Sequence, residues 1–170
     1  MAAFPSITPD YSLAKTSRPL KRVVRFGDGY EQRLSWLINQ NPKLWNLKFS
    51  NIPESDSDTI EDFLNARAED NVSFQWIPPD LTKWAASTAF ALGAIVQPLT
   101  AQNNGLIYEV TTAGTSGSSE PTWPSSGTVT DGGVTWTKTS YEWVCEGWQK
   151  QIPYLNRATI SATFRQVFEA

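Results

Sequence analysis

The sequence predicts a mainly β protein with one α-helix: a sandwich or barrel-like sheet flanked by that helix, with a small all-β module inserted into it. Three observations predict this. Eight Trp, eight Phe and five Tyr stand against 18% charged residues in 170, the composition of a packed, strand-rich chain. Apolar side chains recur at period two around 45–49, 72–76 and 158–168, and at helical spacing only between Ser55 and Ala68. From Lys83 to Ser140 the only charged residues are Lys83, Glu109, Glu120, Asp131 and Lys138, while Gly, Ser and Thr become dense, which marks a separate module.

Taken in order, residues 1–20 carry Pro5, Pro9 and Pro19 among small and polar residues and suit an extended arm. Arg25, Phe26, Gly27, Asp28, Gly29 and Tyr30 read as a hairpin corner: the glycines can supply positive φ, and Val23, Val24, Phe26 and Tyr30 give both arms strand character. A phosphate loop is excluded, because no third glycine, no helix and no Lys-Ser/Thr pair follows. Lys15, Arg18, Lys21, Arg22, Arg25 and Arg33 make this the most basic region, relieved only by Asp28 and Glu31. It reads either as a solvated strand face or as a contact for an acidic partner surface.

Trp45, Leu47 and Phe49 alternate with polar residues in a strand expected to pair with the hairpin and to end at Pro53. Ser55 to Asp58 open a helix, with Asp58 and Glu61 or Ser55 and Asp58 as candidate caps. Ile60, Phe63, Leu64 and Ala68 form its apolar stripe, leaving Arg67 and the acids outside. The carboxylates lack the spacing of a calcium loop. Val72, Phe74 and Trp76 alternate in another strand, stopped by Pro78-Pro79. In the module, Tyr108–Thr111 and Val134–Thr137 are strand-like, with Asp131-Gly132-Gly133 as a turn before the second. Beyond it, Tyr141 to Trp148 form a strand. The clearest alternation, Ala158, Ile160, Ala162, Phe164, Gln166 and Phe168, forms a long last strand expected beside the hairpin, closing a barrel-like sheet over the helix.

Histidine is absent and Cys145 is the only cysteine, so zinc and iron–sulfur sites, a Ser-His-Asp triad and a Cys-His dyad are unavailable within one chain, and no cofactor is expected. A net charge of −3 argues against specific nucleic-acid binding by phosphate neutralisation, though not against a channel through which DNA slides. With no apolar signal core and no run of about 18 apolar residues, neither secretion nor membrane spanning is expected.

Four stretches in this order, Val24–Arg33 around the Arg-Phe-Gly-Asp-Gly-Tyr corner, Phe74–Pro79, Tyr141–Trp148 and Ala162–Val167, resemble the minor tail protein M family of lambda-like siphophages. The resemblance covers roughly 18–80 and 141–169. It implies a tail-tube-like fold in a structural minor tail protein without catalytic activity. Such a protein is found in the virion at the tail tip and assembled in the host cytoplasm. There it forms a homohexameric ring between the tail tube protein and the tail-tip hub protein, through whose lumen DNA passes. On that reading Arg18, Lys21, Arg22, Arg25 and Arg33 are candidate intersubunit contacts rather than channel lining. The expected organisation is an N-terminal arm (1–20), a discontinuous ring domain (21–80 and 141–170) and the inserted module (81–140).

The insert is similar to small aromatic-rich modules related to chitin-binding domains. This likeness rests on Trp84, Leu92–Val96, Gly105–Tyr108, Gly114–Gly117, Glu120–Trp123 and Asp131–Trp136. It implies a carbohydrate-binding role, with Trp84 and Trp123 as candidate glycan contacts and Tyr108 and Trp136 as core; the alternative is that all these aromatics form the core that so small a module needs. The alternative function is therefore a host-surface glycan-binding adhesion protein in which the insert is the working part. A hydrolase built on Glu109, Glu120 and Asp131 is disfavoured by the scarcity of acids and of room for a cleft.

Overall fold

The computed structural model describes residues 2–34, 41–99 and 105–169, which divide into two compact units, Met1–Gln75 with Glu142–Ala170, and Trp76–Tyr141. The first unit holds β1 (Ala2–Ala3), β2 (Ala14–Ser17), β3 (Arg22–Arg25), β4 (Glu31–Leu34), β5 (Lys43–Pro53), α1 (Glu54–Asp70) and β6 (Phe74–Gln75). The second holds β7 (Ala89–Phe90), β8 (Ile95–Val96), β9 (Ile107–Thr112), β10 (Gly114–Thr115), β11 (Thr128–Asp131) and β12 (Val134–Thr139). The chain then returns to the first unit for β13 (Glu142–Tyr154) and β14 (Arg157–Val167). Gln75 and Glu142 are partners across β6 and β13, so the chain leaves and re-enters the first unit on neighbouring strands.

The first unit is one six-stranded sheet, ordered β1-β6-β13-β14-β5-β2, antiparallel except where β1 runs parallel to β6. Phe49 faces Ile160, Leu47 faces Ala162 and Trp45 faces Phe164 across β5 and β14. The period-two pattern thus lays both strands' apolar residues on one surface. Phe4, Phe63, Phe74 and Phe164 pack edge-on or tilted upon it, with ring centroids 4.9–6.1 Å apart. Helix α1 covers this face with Ser57, Ile60 and Leu64.

Two sequence expectations fail here. Strand β5 pairs with β14 and β2 rather than with the hairpin, and β14 lies between β13 and β5. The hairpin β3-β4 is a two-stranded sheet of its own, and among the described residues no sheet closes into a barrel. The reason is chemical: Arg22, Arg25, Glu31 and Arg33 leave neither face of the hairpin apolar enough to be buried against the sheet.

The helix also starts differently. Pro53, with φ −53°, ends β5 and serves as N-cap; no side chain caps the first turn, and the Glu54 N–H donates to the carbonyl of Asn156 instead (3.3 Å). The carbonyl of Asn156, in the turn between β13 and β14, thus satisfies one of the orphan amides of the first turn. At the far end Asn71, at φ 55°, closes the helix by donating to Arg67 O. Ala68 is exposed, whereas Arg67 is half-buried with its guanidinium over the Phe63 ring (5.7 Å) and paired to Asp70. A long side chain whose stem packs and whose head reaches water outcompetes a methyl for that position.

The second unit is a four-stranded antiparallel sheet, β11-β12-β9-β8, with the short pair β10-β7. Its core is Trp84, Val96, Tyr108, Val110, Trp123, Val134 and Trp136, with Phe90, Ala94, Leu99, Leu106 and Val129 partly buried against it. Tyr108 stacks on Trp123 at 4.4 Å, and Trp136 meets Trp123 and Phe90 edge-on. The Gly132-Gly133 turn forms as expected, with Gly132 at φ +60°. The glycine-rich run is packed structure: a Cβ on Gly114 would lie 2.2 Å from Gly133 O, and one on Gly117 2.6 Å from Asp131 Oδ1.

Candidate functional site

The hairpin corner is built as its residues require. Arg25 pairs with Glu31 at the end of the ribbon, the Phe26 N–H donates to Tyr30 O (2.8 Å), and the Gly29 N–H donates to Phe26 O (3.1 Å). Gly29 sits at φ +84°, and Asp28 Oδ1 accepts from the Tyr30 N–H at 3.1 Å. This is the three-residue loop in which a tight turn is followed by a left-handed residue. A Cβ on Gly29 would touch nothing within 4 Å, so the requirement for glycine is purely one of backbone conformation. Gly29→Val is therefore expected to cost about 1 kcal/mol or more through the hairpin alone. Faster amide exchange across β3 and β4 would show it, and wild-type exchange there would contradict it.

The basic side chains project from this ribbon. Arg25 and Arg33 are 81% and 72% exposed, and both reach the single carboxylate of Glu31, at 3.4 and 2.7 Å. With Asp28 in the turn, the two guanidiniums of the corner are balanced by two carboxylates, and the surplus positive charge lies on Arg18, Lys21 and Arg22. Arg18, Lys21 and Arg22 are exposed on the approach to and start of β3, and the Arg18 N–H donates to Pro42 O. Lys15 lies over the Trp45 ring at 5.4 Å. Val23, Phe26, Tyr30 and Leu34 are exposed beside these charges, with Phe26 and Tyr30 in ring contact at 6.0 Å. Sequence reasoning did not single out a second exposed apolar tip at the β13-β14 turn: Ile152, Tyr154 and Leu155. The signal was present, because the Ile152-Pro153-Tyr154-Leu155 run breaks the polar–apolar alternation.

The candidate glycan contacts fall elsewhere than expected. Trp84 and Trp123 are 5% and 7% exposed and form part of the module core, so neither offers a free ring face for a sugar to stack on. Their indole N–H groups are consumed internally, Trp84 donating to Asp131 Oδ2 (2.7 Å) and Trp123 to Glu120 Oε1 (2.8 Å). A domain this small needs its large aromatics inside to reach a stable core, and that need decides their position. Tyr108 and Trp136 are fully buried, as expected of core. Cys145 is half-buried, and burial pushes its thiol above the ordinary value, away from nucleophilic chemistry.

These features define a mainly β chain with one described helix, from which a charged, partly apolar ribbon projects. The model of the phage minor tail protein family matches residues 6–96, more than half of the chain, and the chain belongs to that family. Over 63 residues it is 40% identical to the tail tip protein M of Escherichia phage lambda, an alignment that takes in 37% of this chain and 56% of that protein. The chain is thus a phage minor tail protein by family, and its alignment spans a little over half the length of that relative.

Proposed function

We propose that this chain forms a sixfold ring at the distal end of the tail tube, joining the tail tube protein to the tail-tip hub protein and letting DNA pass through its lumen. Family membership supports the location. The observation that carries the ring itself is the hairpin β3-β4, a ribbon outside the main sheet with four large apolar side chains exposed beside its arginines. A two-stranded ribbon is marginally stable alone, and a subunit surface that buries it supplies the missing partner. The role is structural rather than catalytic: of Glu109, Glu120 and Asp131, the acids a hydrolase in the module would draw on, Glu120 and Asp131 are engaged with indole N–H groups. With Trp84 and Trp123 in the core, no observation favours the glycan-adhesion reading over this one.

Arg18, Lys21, Arg22, Arg25 and Arg33 then lie at subunit boundaries, where they set orientation and partner choice, and not on the DNA path, where each phosphate contact would add salt-sensitive affinity. Reversing Arg22 and Arg25 together to Glu is expected to cut the yield of assembled tails. Tails that assemble normally yet fail to deliver the genome would place these side chains in the channel and contradict the assignment.

A further inference from the structure

We propose, on the footing of the ring reading above, that the outer edge of β13 between Gly147 and Gln151 receives the β3-β4 hairpin of a second copy as an added strand. Strand β6 covers only Glu142 and Trp143 of β13, and among the described residues no strand pairs with that edge from Val144 onward. Backbone groups along such an edge are a template for another chain. From Gly147 to Gln151 the register against β14 is unbroken, running from Thr163 to Thr159, with irregularities only before and after it. This stretch is therefore regular enough to accept a partner.

Two further observations select the occupant. Beside β13 a small cleft is lined by Leu64, Arg67, Val72, Phe74, Cys145 and Trp148, and there the buried Arg67 Nε has no acceptor among the described residues. A backbone carbonyl of an added strand is the group it lacks. Helix α1, which borders the cleft, carries seven carboxylates; Lys150 of β13 pairs with Asp58 and Glu61 and Arg67 pairs with Asp70, and Asp62 and Glu69 are exposed. The hairpin is the complementary surface of the same chain: Lys21, Arg22, Arg25 and Arg33 outnumber Asp28 and Glu31, beside exposed Val23, Phe26, Tyr30 and Leu34. Donor and acceptor surfaces are different parts of one chain, so the contact repeated head to tail generates a ring or an open filament.

A charge swap in the full-length chain tests this, read by sedimentation at low salt. Arg25→Glu with Arg33→Glu, and separately Asp62→Lys with Glu69→Lys, are each expected to weaken self-association about tenfold or more, and all four substitutions together to restore most of it. In the wild type, amide exchange at Gly147–Gln151 is expected to slow on assembly. Assembly unchanged by either pair, or no added protection at those amides, overturns this interface while leaving the ring reading standing. A wild-type chain that stays monomeric at every concentration and within tails overturns both.

Discussion

Asp131→Ala is expected to unfold the Trp76–Tyr141 unit or bring it to the edge of unfolding. Asp131 is 5% exposed, and its carboxylate accepts from the Trp84 indole (2.7 Å), the Trp136 indole (3.3 Å) and the Gly117 N–H (2.8 Å). Alanine removes the one acceptor that three donors share, two of them buried indole N–H groups and the third a part-buried amide. An unsatisfied buried donor costs about 1–3 kcal/mol, so the loss should be on the order of 3–5 kcal/mol, a large part of what a domain of this size possesses. The measurement is urea unfolding followed by tryptophan fluorescence, together with amide exchange in β9 and β12. Asp131→Asn, which keeps one oxygen to accept, should lose clearly less. Exchange in β9 and β12 that stays at wild-type rates in the alanine variant would show that the carboxylate does not hold these indoles.

Phe164→Ala is expected to cost about 3–5 kcal/mol in the first unit, by lost burial and by the cavity left behind. Its side chain is fully buried, with Phe74 at 4.9 Å and Phe4 at 5.2 Å, both edge-on, and it faces Trp45 on β5 and Cys145 on β13. No neighbouring ring can collapse into the gap without giving up its own contacts. The denaturation midpoint read by exchange in β5 and β14 should fall accordingly. A loss below about 1 kcal/mol would mean that this face is not the core of the unit.

How far the sequence announced this structure depends on what each residue had to satisfy. Strands β5 and β14 were legible because Trp45, Leu47 and Phe49, like Ala158 through Phe164, alternate against one continuous buried face. The Gly27-Asp28-Gly29 corner was legible because Gly29 needs a positive φ. Which strands would pair was not, since register between distant segments leaves no local mark; the expected pairing of the hairpin with β5 and β14 failed because the charges on both its faces were given too little weight. The helix start was missed because a backbone carbonyl at Asn156, 102 positions further along, took the place of the expected side-chain cap. The sequence left Trp84 and Trp123 open between core and glycan contact because an indole that packs a small core and one that stacks on a sugar look alike there. Only Asp131 and Glu120, poised at their N–H groups, separate the two. Family membership, by contrast, was legible from Val24–Arg33 and Phe74–Pro79, which lie within the matched residues 6–96; that match reaches into the module and does not take in Tyr141–Trp148 or Ala162–Val167.

The central claim is that this chain is a ring subunit of the tail tip, and end-on electron microscopy of assembled tails carrying a labelled copy tests it most directly. The account predicts label in six equivalent positions in a closed ring around the lumen at the distal end of the tube. Label on isolated appendages outside the tube, or in a number and arrangement that does not close around the lumen, would contradict it.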